Sequence, residues 1–532
     1  MPFIPLSDPD QLPLDRHLLI EAGAGTGKTY TLESLVVRLL KERADLSIEN
    51  ILVVTFTEKA TSELKMRIRR KLSQMLAQQD ATDPARRNLT RALDNFDQAA
   101  VYTIHGFCQT LLGDLAFENR VLFEHELVDD GPLLEELLQE DLRGYWPARF
   151  GEAFSEVLVL SAFGADPRRF EELVLKLARN VRQAGGYDRL RPDLGGLDYD
   201  DIREGLAREI TGLKEFMGPA GSLAAEFGRL NIHASSRKGI ITKIITPLED
   251  LIHEETASVP LMVGLREWLA RTETVRSQGR KGMACLISDQ WTQKGANPEA
   301  APRLAEQVTR LNRLGERLQA LTHWLTQAVF ARLCEGAAAL KRQKGLMSYD
   351  DMLSGLARAL SPVQSGNAAL DLARQIRGRF PVAFVDEFQD TDPVQWQIFK
   401  TLYLNAEAAE AGDASPRLVL IGDPKQAIYA FRGADIYTYL QARQEMEALA
   451  RERRAGLYSL AVNWRSAPEL VEGFNGIFGA AGGWFEESLG AELPAVGYQP
   501  LKSAGAAQLP QQLQADAAGG SALNLVDLED HP

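Results

Sequence analysis

The stretch Glu21-Ala22-Gly23-Ala24-Gly25-Thr26-Gly27-Lys28-Thr29 constrains this chain more than any other. The apolar run His17-Leu18-Leu19-Ile20 before it reads as a short buried strand. Leu32, Leu35, Val36, Leu39 and Leu40 after it recur at helical spacing. The glycines therefore mark a turn from strand to helix. Gly23, Gly25 and Gly27 let the backbone curl so that successive N–H groups face an anion. The new helix adds its positive N-terminal end at the same spot. Lys28 supplies a point charge for β- and γ-phosphates, and the Thr29 hydroxyl can hold Mg²⁺. Ala22 stands where such loops usually carry their first glycine. The departure costs little, because position 22 lies on the strand side of the turn.

At 532 residues the chain is too long for one core, and two to four domains are expected. A net charge of −14 argues against a generally basic surface, so nucleic-acid binding has to be argued from local segments. Cys108, Cys285 and Cys334 are widely spaced, show no metal-type pattern and suggest a reducing compartment. With no charged-then-apolar leader and no run of about 18 apolar residues, the expectation is a cytoplasmic protein without a membrane span.

Further strand-to-helix junctions follow. Ile51 to Phe56 is apolar and β-branched, and it leads through Thr57-Glu58-Lys59 into a helix. Thr57 and Lys59 would lie on the ligand edge of an open α/β sheet, although Thr57 equally suits a helix cap. Val101-Tyr102-Thr103-Ile104-His105 repeats the pattern and places Thr103 and His105 at that edge. Between about residues 120 and 340 apolar residues recur at helical periods, and Arg168, Arg169, Lys176, Arg179, Arg182, Arg189 and Arg191 form a basic-leaning stretch. That stretch reads as a phosphate-contacting face or simply a solvated one. Strand logic returns at Phe380 to Val385, which ends in Asp386-Glu387. Two acids after a buried strand suit one carboxylate on Mg²⁺ and its neighbour on an attacking water. Arg417 to Ile421 leads into Gly422-Asp423-Pro424-Lys425-Gln426, and Tyr429 and Phe431 beyond it offer faces for bases or for a core. Tyr458 to Ser466 is read as a strand ending in Trp464-Arg465. The Ala-, Gly- and Gln-rich tail from Ser503 reads as linker or disorder.

Together these segments resemble the UvrD-like superfamily 1 DNA helicases, most closely the amino-terminal motor portion of the exodeoxyribonuclease V beta-subunit (RecB) type. The resemblance rests on five motifs in order: Glu-Ala-Gly-Ala-Gly-Thr-Gly-Lys-Thr, Tyr-Thr-Ile-His-Gly-Phe-Cys, Val-Asp-Glu-Phe-Gln-Asp-Thr-Asp-Pro, Ile-Gly-Asp-Pro-Lys-Gln-Ala-Ile-Tyr-Ala-Phe-Arg-Gly and Asn-Trp-Arg-Ser. It implies an α/β fold: a RecA-like P-loop NTPase lobe with a parallel sheet (1–120 and 340–450), a helical insertion (121–339), the start of an incomplete second RecA-like lobe (455–502) and a tail (503–532). It implies that ATP and Mg²⁺ are used. Ala22 to Thr29 would cradle phosphate, with Tyr30 and Trp464 near adenine, and Thr29 and Asp386 would hold the metal. Glu387 would be the general base, Gln426 the γ-phosphate sensor and Arg465 an arginine finger from the second lobe. Thr57, Lys59, Thr103, His105, Tyr429 and Phe431 would line a single-stranded DNA path.

The implied activity is 3′-to-5′ translocation and helicase action on single-stranded and duplex-end DNA in double-strand-break repair and recombination, with RecC- and RecD-type partners and no membrane. Only Gln11 is a candidate for the adenine-reading glutamine of relatives, and Phe431 stands where many carry Trp. No Lys-Gly-Leu-type DNA motif, second arginine motif or nuclease carboxylates follow residue 466, so a truncated product or fragment impaired in unwinding is expected. The alternatives are a stand-alone UvrD-like repair helicase, an AddA-type subunit, or a non-motor P-loop binding module.

Overall fold

The computed structural model describes residues 3–6, 8–80, 83–114, 126–161, 167–179, 199–229, 234–254, 258–272, 276–277, 280–281, 302–405, 416–427, 435–479, 496 and 498–504. The chain divides into two compact units, Asp129–Leu346 and the flanking segments Met1–Val128 with Met347–Pro532.

The flanking unit is built on a seven-stranded sheet. Its strands are β1 (Ile4–Leu6), β2 (His17–Ala22), β3 (Ile51–Thr55), β4 (Val101–Thr103), β5 (Val382–Val385), β6 (Arg417–Gly422) and β7 (Ala455–Leu460). They lie in the order β1-β7-β2-β6-β5-β3-β4, and every neighbouring pair is parallel. A parallel sheet needs cover on both faces, which is why β2, β3 and β5 are buried along their whole length. Their side chains still alternate between two cores. Leu18, Ile20, Ile51, Val53, Val382, Phe384, Val419 and Ile421 enter one of them. Leu19, Leu52, Val54, Ala383, Val385, Leu418 and Leu420 enter the other. Because all strands run the same way, their carboxyl ends share one edge, where ligands of open α/β sheets bind.

Helix α1 (Lys28–Glu42) follows β2 and α2 (Glu58–Gln78) follows β3, while α3 (Ile104–Asp114) follows β4. The Asp129–Leu346 unit is mainly helical, with α4 (Tyr199–Phe216) against the 43-residue α5 (Pro302–Lys344). Its core is a continuous cluster that includes Trp146, Phe170, Phe227, Leu311, Leu325 and Leu333.

The structure corrects two expectations. Ala455–Leu460, expected to open a second lobe, is instead a strand of the first lobe's sheet, paired with β2 from Ala455↔His17 to Leu460↔Ala22. The reason is burial: Ala455 and Leu457 complete one core while Leu460 joins the other. Nor does the patternless tail begin at Ser503, because β8 (Val462–Asn463) pairs in parallel with β9 (Lys502–Ser503). Residues 505–532, and Arg182, Arg189 and Arg191 of the basic stretch, lie outside the described residues. No helix among the described residues is long and apolar enough to cross a membrane.

Candidate nucleotide site

Strand β2 ends on buried Ala22, so the alanine that replaces the usual first glycine is still strand, and the turn starts after it. Gly25 and Gly27 adopt φ of +79° and +93°, a region in which a side chain is strained. Thr26 ties the turn, its N–H and hydroxyl both donating to the Gly23 carbonyl, at 3.2 and 2.8 Å. Ala24, at the tip, is exposed. Gly27 caps α1, so Lys28 and half-buried Thr29 occupy the first turn at the positive end of that helix. The Lys28 Nζ lies 2.6 Å from Glu387 Oε2 and 3.5 Å from Gln426 Oε1. Three side chains separated by nearly four hundred residues thus meet above the loop.

Glu387 follows β5 with φ +50° and ψ 44°, a left-handed backbone that a non-glycine residue keeps only when its surroundings enforce it. The Asp386 N–H donates to the Val54 carbonyl at 2.9 Å, and Asp386 Oδ1 accepts from the Glu387 N–H at 3.0 Å. Burial, and then the Glu387 charge, push the Asp386 carboxyl up to about 6, with Lys28 opposing. Asp390 is also raised to about 6, by burial and then Glu387, and its Oδ1 is buried with no hydrogen-bond partner among the described residues. Burial and the neighbouring Glu387 charge thus disfavour a further negative charge on either acid, a cost that a divalent cation would relieve. Among the described residues no group of three His, Cys, Asp or Glu side chains could hold a metal alone. A Mg²⁺ held by one carboxylate, one hydroxyl, water and substrate phosphates fits that donor set.

Sequence reasoning overlooked two parts of this site. Gln389 bridges the acids to the next strand. Its Nε2 donates to Glu387 Oε2 (2.8 Å) and Asp390 Oδ2 (3.3 Å), and its Oε1 accepts from the Asp423 N–H (2.9 Å). Asp423 in turn accepts from Gln426 Nε2 at 2.7 Å. Asn463 Nδ2 donates to the Ala24 carbonyl at 3.1 Å, while its Oδ1 accepts from the Arg465 and Ser466 N–H groups at 2.8 and 2.9 Å. The Trp464 N–H donates to the Gly25 carbonyl at 2.8 Å. The only sequence signal for Asn463 was its place just before Trp464-Arg465. The backbone that carries Arg465 thus lies against the glycine turn, the Arg465 Cβ standing 2.9 Å from where a Cβ on Gly25 would be, directly after β8 of the small two-stranded sheet. The Trp464 side chain is 40% exposed.

The remaining residues are distributed unevenly. Tyr30 is exposed, with Lys71 Nζ 3.8 Å from its ring centre. Gln11 ends a short turn whose Pro9, Asp10 and Leu12 carbonyls accept from Arg38 of α1. Thr57 caps α2, its Oγ1 accepting from the Ala60 N–H at 3.1 Å, and Lys59 is exposed beside it. Thr103 is buried, donating to Glu58 Oε1 at 2.9 Å and accepting from the Gly106 N–H at 3.1 Å, so its hydroxyl already has partners inside the protein. His105 meets Tyr349 edge to face at 5.1 Å. Tyr429 and Phe431 lie outside the described residues.

The model of the UvrD/REP helicase N-terminal domain matches residues 9–447. The RecBCD enzyme subunit RecB of Escherichia coli (strain K12) is 34% identical over 528 residues, covering 94% of this chain and 40% of that protein. The RecB subunit of Haemophilus influenzae is 32% identical, covering 89% and 41%. That of Chlamydia pneumoniae is 27% identical, covering 86% and 42%. The chain spans about two fifths of the length of these curated relatives. With the family match extending over most of its length, on a parallel sheet that carries a phosphate loop and paired acids at one edge, the chain belongs to the UvrD/REP helicase family.

Proposed function

We propose that this chain is an ATP-driven motor that moves 3′-to-5′ along single-stranded DNA and acts at duplex ends, as part of a RecBCD-type assembly with RecC- and RecD-type partners in double-strand-break repair. The observation that carries the reading is the meeting of Lys28 with Glu387 and Gln426 over the glycine turn, with Asp386 alongside. A binding module would have no use for a carboxylate held next to the phosphate-loop lysine by a strained backbone.

In the proposed mechanism Ala22 to Thr29 hold the phosphates, and Thr29 and Asp386 hold Mg²⁺, which neutralises phosphate charge when bound. Lys28 exchanges Glu387 for phosphate oxygens. The freed Glu387 carboxylate orients a water and accepts its proton. Gln426 reads the γ-phosphate, Arg465 offsets its charge, and Tyr30 and Trp464 flank the base. Thr57, Lys59, His105, Tyr429 and Phe431 line the strand, with Thr103 supporting that edge from inside. Residues 1–532 alone are expected to bind nucleotide and single strand with little unwinding. The test is ATP hydrolysis with and without oligo(dT). DNA-stimulated turnover lost in Lys28→Ala and Glu387→Gln is expected, and turnover near wild type in Glu387→Gln would overturn the proposal. Single-turnover unwinding by the 532-residue polypeptide checks the last expectation.

A further inference from the structure

We propose that Gln389 is a positioning residue that couples the nucleotide sensor Gln426 to the base Glu387; this rests on the hydrolytic reading above. Five groups close a ring. Lys28 contacts Glu387 and Gln426, Gln426 donates to Asp423, the Asp423 N–H donates to Gln389, and Gln389 donates to Glu387. Each step except Lys28–Gln426, at 3.5 Å, is 2.9 Å or shorter.

The amide of Gln389 has only one workable orientation. Its oxygen must face a backbone N–H, so its nitrogen faces two carboxylates. The residue is 2% exposed, and water cannot readily replace those partners. Gly422 makes room for it: a Cβ there would stand 2.7 Å from Gln389 Oε1. Asp423 is equally enclosed, holding Lys425 through Oδ1 and Gln426 through Oδ2. The segment that reads the phosphate and the carboxylate that activates water are thus linked through one side chain. When phosphate draws Lys28 away, Gln389 is the remaining side-chain donor to Glu387 among the described residues. Movement of Gln426 toward phosphate then pulls on Asp423, and through Gln389 it re-aims the Glu387 carboxylate.

The test combines kinetics with hydrogen exchange on the full chain. The variants are Gln389→Leu, Gln426→Ala, their double, and Gln389→Glu, which keeps the acceptor for Asp423 and loses the donor. With saturating oligo(dT), Gln389→Leu is expected to lower kcat about 100-fold, the scale of a small misplacement of a catalytic group, at unchanged KM for ATP. The double variant is expected to be no slower than the worse single, because both break one chain. In wild type a non-hydrolysable ATP analogue should slow exchange in both 423–427 and 386–391; in Gln389→Leu it should slow only the former. Should Gln389→Leu fail to fold, Gln389→Glu is read by the same measures. A kcat within twofold of wild type, multiplicative losses in the double, or protection of both segments in the variant would overturn the coupling. Glu387→Gln run in parallel separates the failures: full hydrolysis there overturns the hydrolytic reading itself, whereas its loss beside an active Gln389 variant overturns only the coupling.

Discussion

Alanine at position 25 should damage this site far more than alanine at position 23, although both replace a glycine of the same loop. At Gly25 the backbone is left-handed, and a Cβ would lie 2.7 Å from Asn463 Oδ1 and 2.9 Å from the Arg465 Cβ. The conformation alone costs about 1–2 kcal/mol for a residue with a side chain. The Asn463–Arg465 segment must also back away, loosening Asn463 to the Ala24 carbonyl and Trp464 to the Gly25 carbonyl. At about 1 kcal/mol for each hydrogen bond, the total is roughly 3–4 kcal/mol. At Gly23 the nearest atom to a Cβ is 3.4 Å away, at Leu501, and no left-handed angle is required. Thermal melting should therefore fall by roughly 6 °C or more for Gly25→Ala and by no more than a degree or two for Gly23→Ala. Hydrogen exchange in 460–466 should quicken only in the former. Equal melting temperatures and equal exchange in the two variants would refute the argument that the Arg465 segment is docked on the loop through position 25.

His17 predicts a pH dependence. It is buried, its Nδ1 accepts from the Leu418 N–H, and burial, then Arg454 and Arg417, push it down to about 4. A histidine held neutral in the fold gives stability that is present above its unfolded value near 6.5 and is lost as pH falls toward 4. Denaturant titrations should show about 3 kcal/mol of that loss, and His17→Asn, which keeps an acceptor, should flatten it. Thr57→Ala should cost about 1 kcal/mol through the lost cap of α2, while Thr57→Ser should be close to neutral. Should DNA stimulation of hydrolysis also fall in Thr57→Ala but not in Thr57→Ser, the hydroxyl serves the strand as well as the helix. Tyr30→Leu should raise KM for ATP severalfold with kcat little changed, whereas Lys71→Met, which removes a cation–π contact worth about 0.5–1 kcal/mol, should move it less.

What could be read from the sequence divides by distance along the chain. The phosphate loop was legible because strand, turn and helix are contiguous, and each residue's role follows from its neighbours. Asp386-Glu387 was legible because five apolar residues precede it and leave the acids only the strand's end. The partners that make these residues a site were not. Gln389 meets Asp423, 34 positions away, and Asn463 meets Ala24, 439 positions away. No local period records either pairing. Thr103 shows the same limit: its place at the sheet edge was legible, but its hydrogen bond to Glu58, 45 positions away, was not.

The placement of β7 follows the same logic and has the largest consequence. Its sequence looks like any strand that opens a new lobe, and only the sheet order reveals that it fills the gap between β1 and β2. Once it lies beside β2 with Leu460 opposite Ala22, the residues that follow it must emerge next to those that follow β2. Two parallel neighbours release their chains at the same edge, which brings Asn463 and Trp464 within hydrogen-bond reach of Ala24 and Gly25. The backbone around Arg465 is thereby tied to the glycine turn, through Asn463 to the Ala24 carbonyl and Trp464 to the Gly25 carbonyl.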